Sequence, residues 1–163
     1  MRTRKTARTP APKPFIAIGS DHGGFATKSA LSRALANAGY TLLDVGTFND
    51  RTKVDYPDYA VQVARAVARD KSGKTKGILI CGTGTGMCIA ANKVRGIRAA
   101  VAYDAYSAQM AREHNDANVL CLRGRKFPRG KAVALAKLFL RTPFSGEERH
   151  KRRIRKVAAL ERK

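Results

Sequence analysis

Apolar residues along this chain come in short uninterrupted runs, separated by stretches where they recur every three or four positions. Uninterrupted runs suit strands buried on both faces, and the wider spacing suits helices with one packed face. The runs are "FIAIG" (15 to 19), "YTLLDVG" (40 to 46), "GILIC" (77 to 81), "RAAVAY" (98 to 103) and "NVLCLRG" (118 to 124). Between the first two, "KSALSRALANAG" sets Leu31, Leu35 and Ala38 at helical spacing and stops at Gly39. "YPDYAVQVARAVARD" puts Tyr59, Val63 and Val67 on one face, with Pro57 near its start. "GMCIAANKV", "AYSAQMAREHN" and "KAVALAKLFLR" continue the alternation, and "EERHKRRIRKVAALERK" reads as a last, charged helix. Five such strands alternating with helices predict a doubly wound, three-layer α/β/α sandwich. Its sheet is five-stranded, parallel and Rossmann-like, with a C-terminal helix added.

Length and composition narrow this picture. A chain of 163 residues, 44% of them hydrophobic, suits one domain with a real core, taken as residues 15 to 163. Residues 1 to 14, "MRTRKTARTPAPKP", carry five basic residues, no acidic ones and three prolines, and are expected to form a disordered basic arm. No stretch approaches the roughly 18 to 20 apolar residues of a membrane span, and no secretory h-region is present. Three cysteines at unrelated spacings form no CxxC pair and no zinc pattern, so the expectation is a reducing, cytoplasmic setting and no metal. Net charge is +21, spread over the chain but denser at both ends. Such a field attracts polyanions and small phosphorylated substrates alike. The lack of a recognised nucleic-acid module, or of aromatics set among the basic residues, argues against nucleic acid as the partner.

In doubly wound sheets, ligands bind beyond the carboxyl ends of the strands. That rule directs attention to "SDHGG", "CGTGTG" and "YDAYS". Gly82, Gly84 and Gly86 lie between a strand and a helix, where backbone N–H groups can converge on an anion. The pattern is neither GxGxxG nor a Walker loop, and a plain tight turn accounts for it equally well. Cys81 at the mouth of this loop sits near the positive end of a helix, which favours a thiolate; a small buried hydrophobe is the alternative. Cys88 and Cys121, each within an apolar stretch, are assigned that second role. Asp21 can cap a helix or bind a ligand; His22, in the same loop, has no capping role to explain it. His114 in "REHND" is either a helix C-cap or a general acid/base. Arg149 and Arg153, four apart in "ERHKRR", share a helix face, either as a solvated basic surface or as a phosphate clamp.

In combination, "SDHGG", "DYPDYA", "GILICGTGTGMCIAANK", "GIRAAVAYDAYSAQMAREHNDANVL" and "ERHKRR" resemble the type B ribose-5-phosphate isomerases, part of the wider ribose- and galactose-phosphate isomerase family. The likeness runs from about Phe15 to about Arg155. It implies an aldose–ketose isomerase that interconverts ribose 5-phosphate and ribulose 5-phosphate without a cofactor. By this resemblance Cys81 is the base and His114 opens the sugar ring. Asp21, His22 and Asn115 contact the substrate, the backbone of Gly82, Thr83, Gly84, Thr85 and Gly86 stabilises the enediolate, and Arg149 and Arg153 hold the phosphate. Thr83 is placed to relay a hydroxyl proton. Family members that lack the cysteine carry an acidic base at the position of Met87, so this chain falls in the cysteine branch. Family sites form between subunits, which implies a homodimer or a dimer of dimers. Galactose 6-phosphate and allose 6-phosphate isomerases share much of the pattern, leaving six-carbon substrates as the alternative.

Overall fold

The structure, a computed structural model, describes residues 13 to 162. Five strands build one sheet: β1 (Ile16–Ser20), β2 (Leu42–Asp44), β3 (Lys76–Cys81), β4 (Ala99–Val101) and β5 (Val119–Arg123). All pair in parallel, in the order β2-β1-β3-β5-β4. The helices α1 (Phe25–Asn37), α2 (Tyr56–Arg69), α3 (Thr85–Ala91), α4 (Ala105–Glu113) and α5 (Arg129–Arg141) follow the five strands in turn. A sixth, α6 (Glu148–Ala159), ends in a short 3-10 turn over Leu160–Arg162. The doubly wound sandwich with a C-terminal helix is therefore the observed architecture.

Strand side chains alternate between two cores. Ile16, Ile18, Ile78, Ile80, Leu120 and Leu122 face the side where Leu31 and Leu35 of α1, Ala108 and Ala111 of α4, and Leu135 and Phe139 of α5 pack. Ala17, Leu79, Cys81, Val119 and Cys121 face the other side, against Val63 and Val67 of α2 and Met87 and Ala91 of α3. Burial on both faces is why these strands read as continuous apolar runs. The edge strands β2 and β4 have only three residues each, shorter than the runs that announced them. Their outer edges lack a partner ladder, so apolarity outlasts pairing there.

Of the expected arm, residues 1 to 12 lie outside the described residues. Lys13 is tied down: its ammonium donates to the Ala38 carbonyl and lies over the Tyr40 ring. No helix among the described residues is long and apolar enough to cross a membrane.

From β1 the chain leaves toward β2, and from β3 it leaves toward β5 and β4. The loops after β1 and β3 therefore diverge to opposite faces, and a crevice opens between them at the carboxyl end of the sheet.

Candidate active site

Both walls of the crevice come from sequence-flagged loops. After β3, Cys81 is 5% exposed and points toward the α2/α3 core. The loop folds back so that the Gly84 N–H donates to Cys81 Sγ at 3.2 Å. This requires Gly84 at φ 84°, the left-handed region that side chains with a Cβ rarely adopt. Thr83 and Thr85 are exposed at the tip, and the Thr85 N–H donates to Thr83 Oγ1 at 3.3 Å. Met87, fully buried beneath the loop, contributes packing only.

After β1, the Asp21 N–H donates to the Ile80 carbonyl at 3.2 Å, joining the two walls. Asp21 Oδ1 accepts from the Gly24 N–H at 2.9 Å, so the carboxylate shapes the turn into α1. Gly24 passes so close to β3 that a Cβ there would lie 2.2 Å from the Ile80 carbonyl oxygen. His22 does have a structural bond: its Nδ1 accepts from the Val54 N–H at 3.3 Å. With Nδ1 accepting, neutral His22 carries its proton on Nε2, leaving that edge as a donor.

One residue escaped the sequence reading. Arg125, two residues beyond β5, arches over both walls: its guanidinium nitrogens lie 3.1 and 3.3 Å from where a Cβ on Gly23 would stand, and its side chain lies 3.6 to 3.9 Å from the equivalent point on Gly82. The Arg125 N–H donates to the Gly82 carbonyl at 3.2 Å. An exposed guanidinium against this glycine loop makes this end of the sheet anion-attracting. Its position past a strand's carboxyl end was the signal available in the sequence.

The remaining candidates lie elsewhere. Helix α4 starts at the carboxyl end of β4 and runs back, so His114, its C-cap, and Asn115 lie at the amino end of the sheet. That is the length of β5 away from Cys81, roughly 13 Å at the usual strand rise. The turn is firmly held. Asp116 takes the left-handed conformation at φ 44°, receives Arg112 at 2.7 Å and Arg98 at 3.0 Å, and Arg98 also donates to the Asn115 carbonyl at 3.0 Å. Helix α6 packs here too. The His114 and His150 rings lie 4.4 Å apart, and His150 Nδ1 is 2.8 Å from Ser145 Oγ. Burial first, then His114, holds His150 below its ordinary pKa. Arg149 is exposed and paired with Glu147 at 2.7 Å, while Arg153 and Asn115 line a cavity of about 230 Å³ with Ala99, Ala100, Ile154 and Val157. The candidates thus fall into two sets at opposite ends of the sheet.

The other thiols fit their assigned packing role, Cys121 fully and Cys88 in part. Cys121 is fully buried, and burial pushes its thiol up; Cys88, half-buried, is lowered by a hydrogen bond from Cys121. Among the described residues no cluster of His, Cys, Asp or Glu could hold a metal ion.

Comparison with known proteins agrees on the fold and the family. Residues 16–157 match the family model described as Ribose/Galactose Isomerase. Ribose-5-phosphate isomerase B of Escherichia coli is 43% identical over 149 residues, covering 91% of this chain and 97% of that protein. The structure of ribose-5-phosphate isomerase B from Clostridium thermocellum superposes with a TM-score of 0.84 at 47% identity, covering 90% of this chain and 97% of that one. That of the Mycoplasma genitalium enzyme, solved with bound ribulose-5-phosphate, gives 0.86 at 41% identity, covering 91% of this chain and 96% of that one.

Proposed function

The chain belongs to the ribose/galactose isomerase family, and from that premise we propose that it interconverts ribose 5-phosphate and ribulose 5-phosphate through an enediolate, with Cys81 as the base. One observation carries the reading: a nearly buried thiol at the carboxyl end of β3 is held by an N–H of its own glycine loop, and the exposed Arg125 side chain lies against Gly82, the next residue of that loop.

The chemistry follows from that arrangement. The Cys81 thiolate takes the proton from C2 of the open-chain sugar and returns it to C1. Between those steps, negative charge on the enediolate oxygen is met by the backbone of residues 82 to 86, the Gly84 N–H staying on Cys81 Sγ. Each such donor supplies about 3 to 4 kcal/mol in comparable oxyanion sites. Thr83, exposed at the loop tip, carries the hydroxyl proton between O2 and O1. C1 is reduced as C2 is oxidised within one substrate molecule, so the reaction needs no redox cofactor. Asp21, His22 and Asn115 bind the sugar, and His22 does so through Nε2–H. Arg125 joins Arg149 and Arg153 in holding the phosphate, a role that suits guanidinium forks.

His114, Asn115, Arg149 and Arg153 reach Cys81 only if a second copy supplies them. The functional unit is therefore a homodimer, or dimers paired further, in which the amino-end set of one copy completes the carboxyl-end set of the other. Helix α6 supports this, because it presents exposed Arg149 and Arg153 with apolar Val157 and Leu160 close by on the same segment.

The test is proton NMR of ribose 5-phosphate in D₂O, with six-carbon sugar 6-phosphates in parallel tubes. The expected result is ribulose 5-phosphate carrying solvent deuterium at C1, with the six-carbon substrates slower. Cys81→Ala is expected to lower turnover by about 10² to 10⁴. A Cys81→Ala protein retaining more than about a tenth of the wild-type rate would overturn the base assignment. Conversion of the six-carbon phosphates alone would overturn the substrate.

A further inference from the structure

"YDAYS", one of the three loops that the ligand-binding rule singles out, has no part in the chemistry above. Its first residue, Tyr103, is 43% exposed at the carboxyl end of β4. Its hydroxyl donates to the Thr83 carbonyl at 3.0 Å. That carbonyl belongs to the same peptide unit whose N–H, on Gly84, donates to Cys81 Sγ. A peptide unit is planar, so fixing its carbonyl direction fixes its N–H direction as well.

We propose that Tyr103 is a positioning residue for Cys81, acting through the Thr83–Gly84 peptide. The inference rests on Cys81 being the base. The loop needs such a support because it is built of glycines at alternate positions, and Gly84 can swing through conformations closed to other residues. A donor on the carbonyl does more than orient the amide. It polarises the amide and strengthens the N–H bond to sulfur.

Tyr103 is itself held on two sides. Its backbone N–H donates to Ser107 Oγ at 3.3 Å, and Ser107 is locked to Asp104 by the capping box that starts α4. Its ring faces the Arg123 guanidinium at 5.8 Å, within cation–π range. Arg123 also donates through Nε to the Arg125 carbonyl at 3.1 Å. Arg123 thus ties the tyrosine that orients the thiol's donor to the segment that carries the anion-facing arginine.

Tyr103→Phe removes a single oxygen and keeps the ring over Arg123. The expected result is a kcat about three- to tenfold lower, the worth of one hydrogen bond, with KM unchanged within about twofold. In substrate-free protein, alkylation of Cys81 by iodoacetamide, followed by mass spectrometry of its peptide, slows by a similar factor. Arg123→Met gives a smaller change in the same direction, and the two substitutions together give less than the product of their effects. Unchanged kcat and unchanged alkylation in Tyr103→Phe would overturn the inference, as would a change confined to KM. The alkylation rate reads the link between Tyr103 and the thiol without turnover. It therefore separates failure of this link from failure of the base assignment, which Cys81→Ala reads.

Discussion

Arg125 shows how a single side chain joins elements far apart in sequence. It starts from the loop after β5 and covers glycines of the loops after β1 and β3, touching no other cation's counter-ion among the described residues. Its proposed task is phosphate binding, which is ground-state and transition-state binding alike. Arg125→Met, which keeps the stem and removes the charge, is therefore expected to raise KM about tenfold or more with a smaller change in kcat. Steady-state kinetics on ribose 5-phosphate checks this. A fall in kcat at constant KM would assign Arg125 to the enediolate instead. Residue identities at this scale were partly legible. Cys81, the glycine loop and Asp21 follow from a strand ending in a motif, whereas Arg125 sits in "RGRKF", where basic residues abound and spacing gives no distinction. His22's bond to Val54 spans 32 residues and could not be read from local pattern.

At the scale of elements, α6 is the least self-explanatory piece. Its only buried residue is His150, and the rest of its surface is strongly basic. The imidazole packs on His114 and bonds Ser145, so one titratable ring anchors the helix that carries Arg149 and Arg153. Its folded pKa is depressed, by burial above all. The unfolded chain therefore binds a proton that the native protein does not, and stability is complete above the unfolded value and lost as pH falls. The melting temperature is expected to drop from about pH 6.5 downward, and more steeply than in His150→Gln. Parallel acid slopes for the two proteins would remove His150 from that role. The existence and type of every element were legible because buried parallel strands are continuous apolar runs and helix faces repeat every three to four residues. Strand order was not. Nothing local says that β5 inserts between β3 and β4, since that depends on how α4 and α5 pack on one face.

For the whole molecule, the decisive fact is the division of the candidate residues. Cys81, the glycine loop, Asp21, His22 and Arg125 occupy the carboxyl end of the sheet, and His114, Asn115, Arg149 and Arg153 the amino end. Exposed Arg125 at one end and exposed Arg149 and Arg153 at the other attract phosphate to either set, but neither set alone contains both the proposed base, Cys81, and the proposed ring-opening group, His114. If two copies share each site, subunit complementation will restore activity. Cys81→Ala and His114→Ala proteins, each expected to be nearly inactive alone, are co-expressed with different tags, and the mixed assembly is assayed on ribose 5-phosphate. In a mixed dimer, one of the two sites receives an intact Cys81 from one copy and an intact His114 from the other. A random mixture is then expected to recover about a quarter of wild-type activity, and purified mixed dimers about half. A mixed dimer as inactive as its parents would rule out shared sites, because both groups would then have to come from one chain.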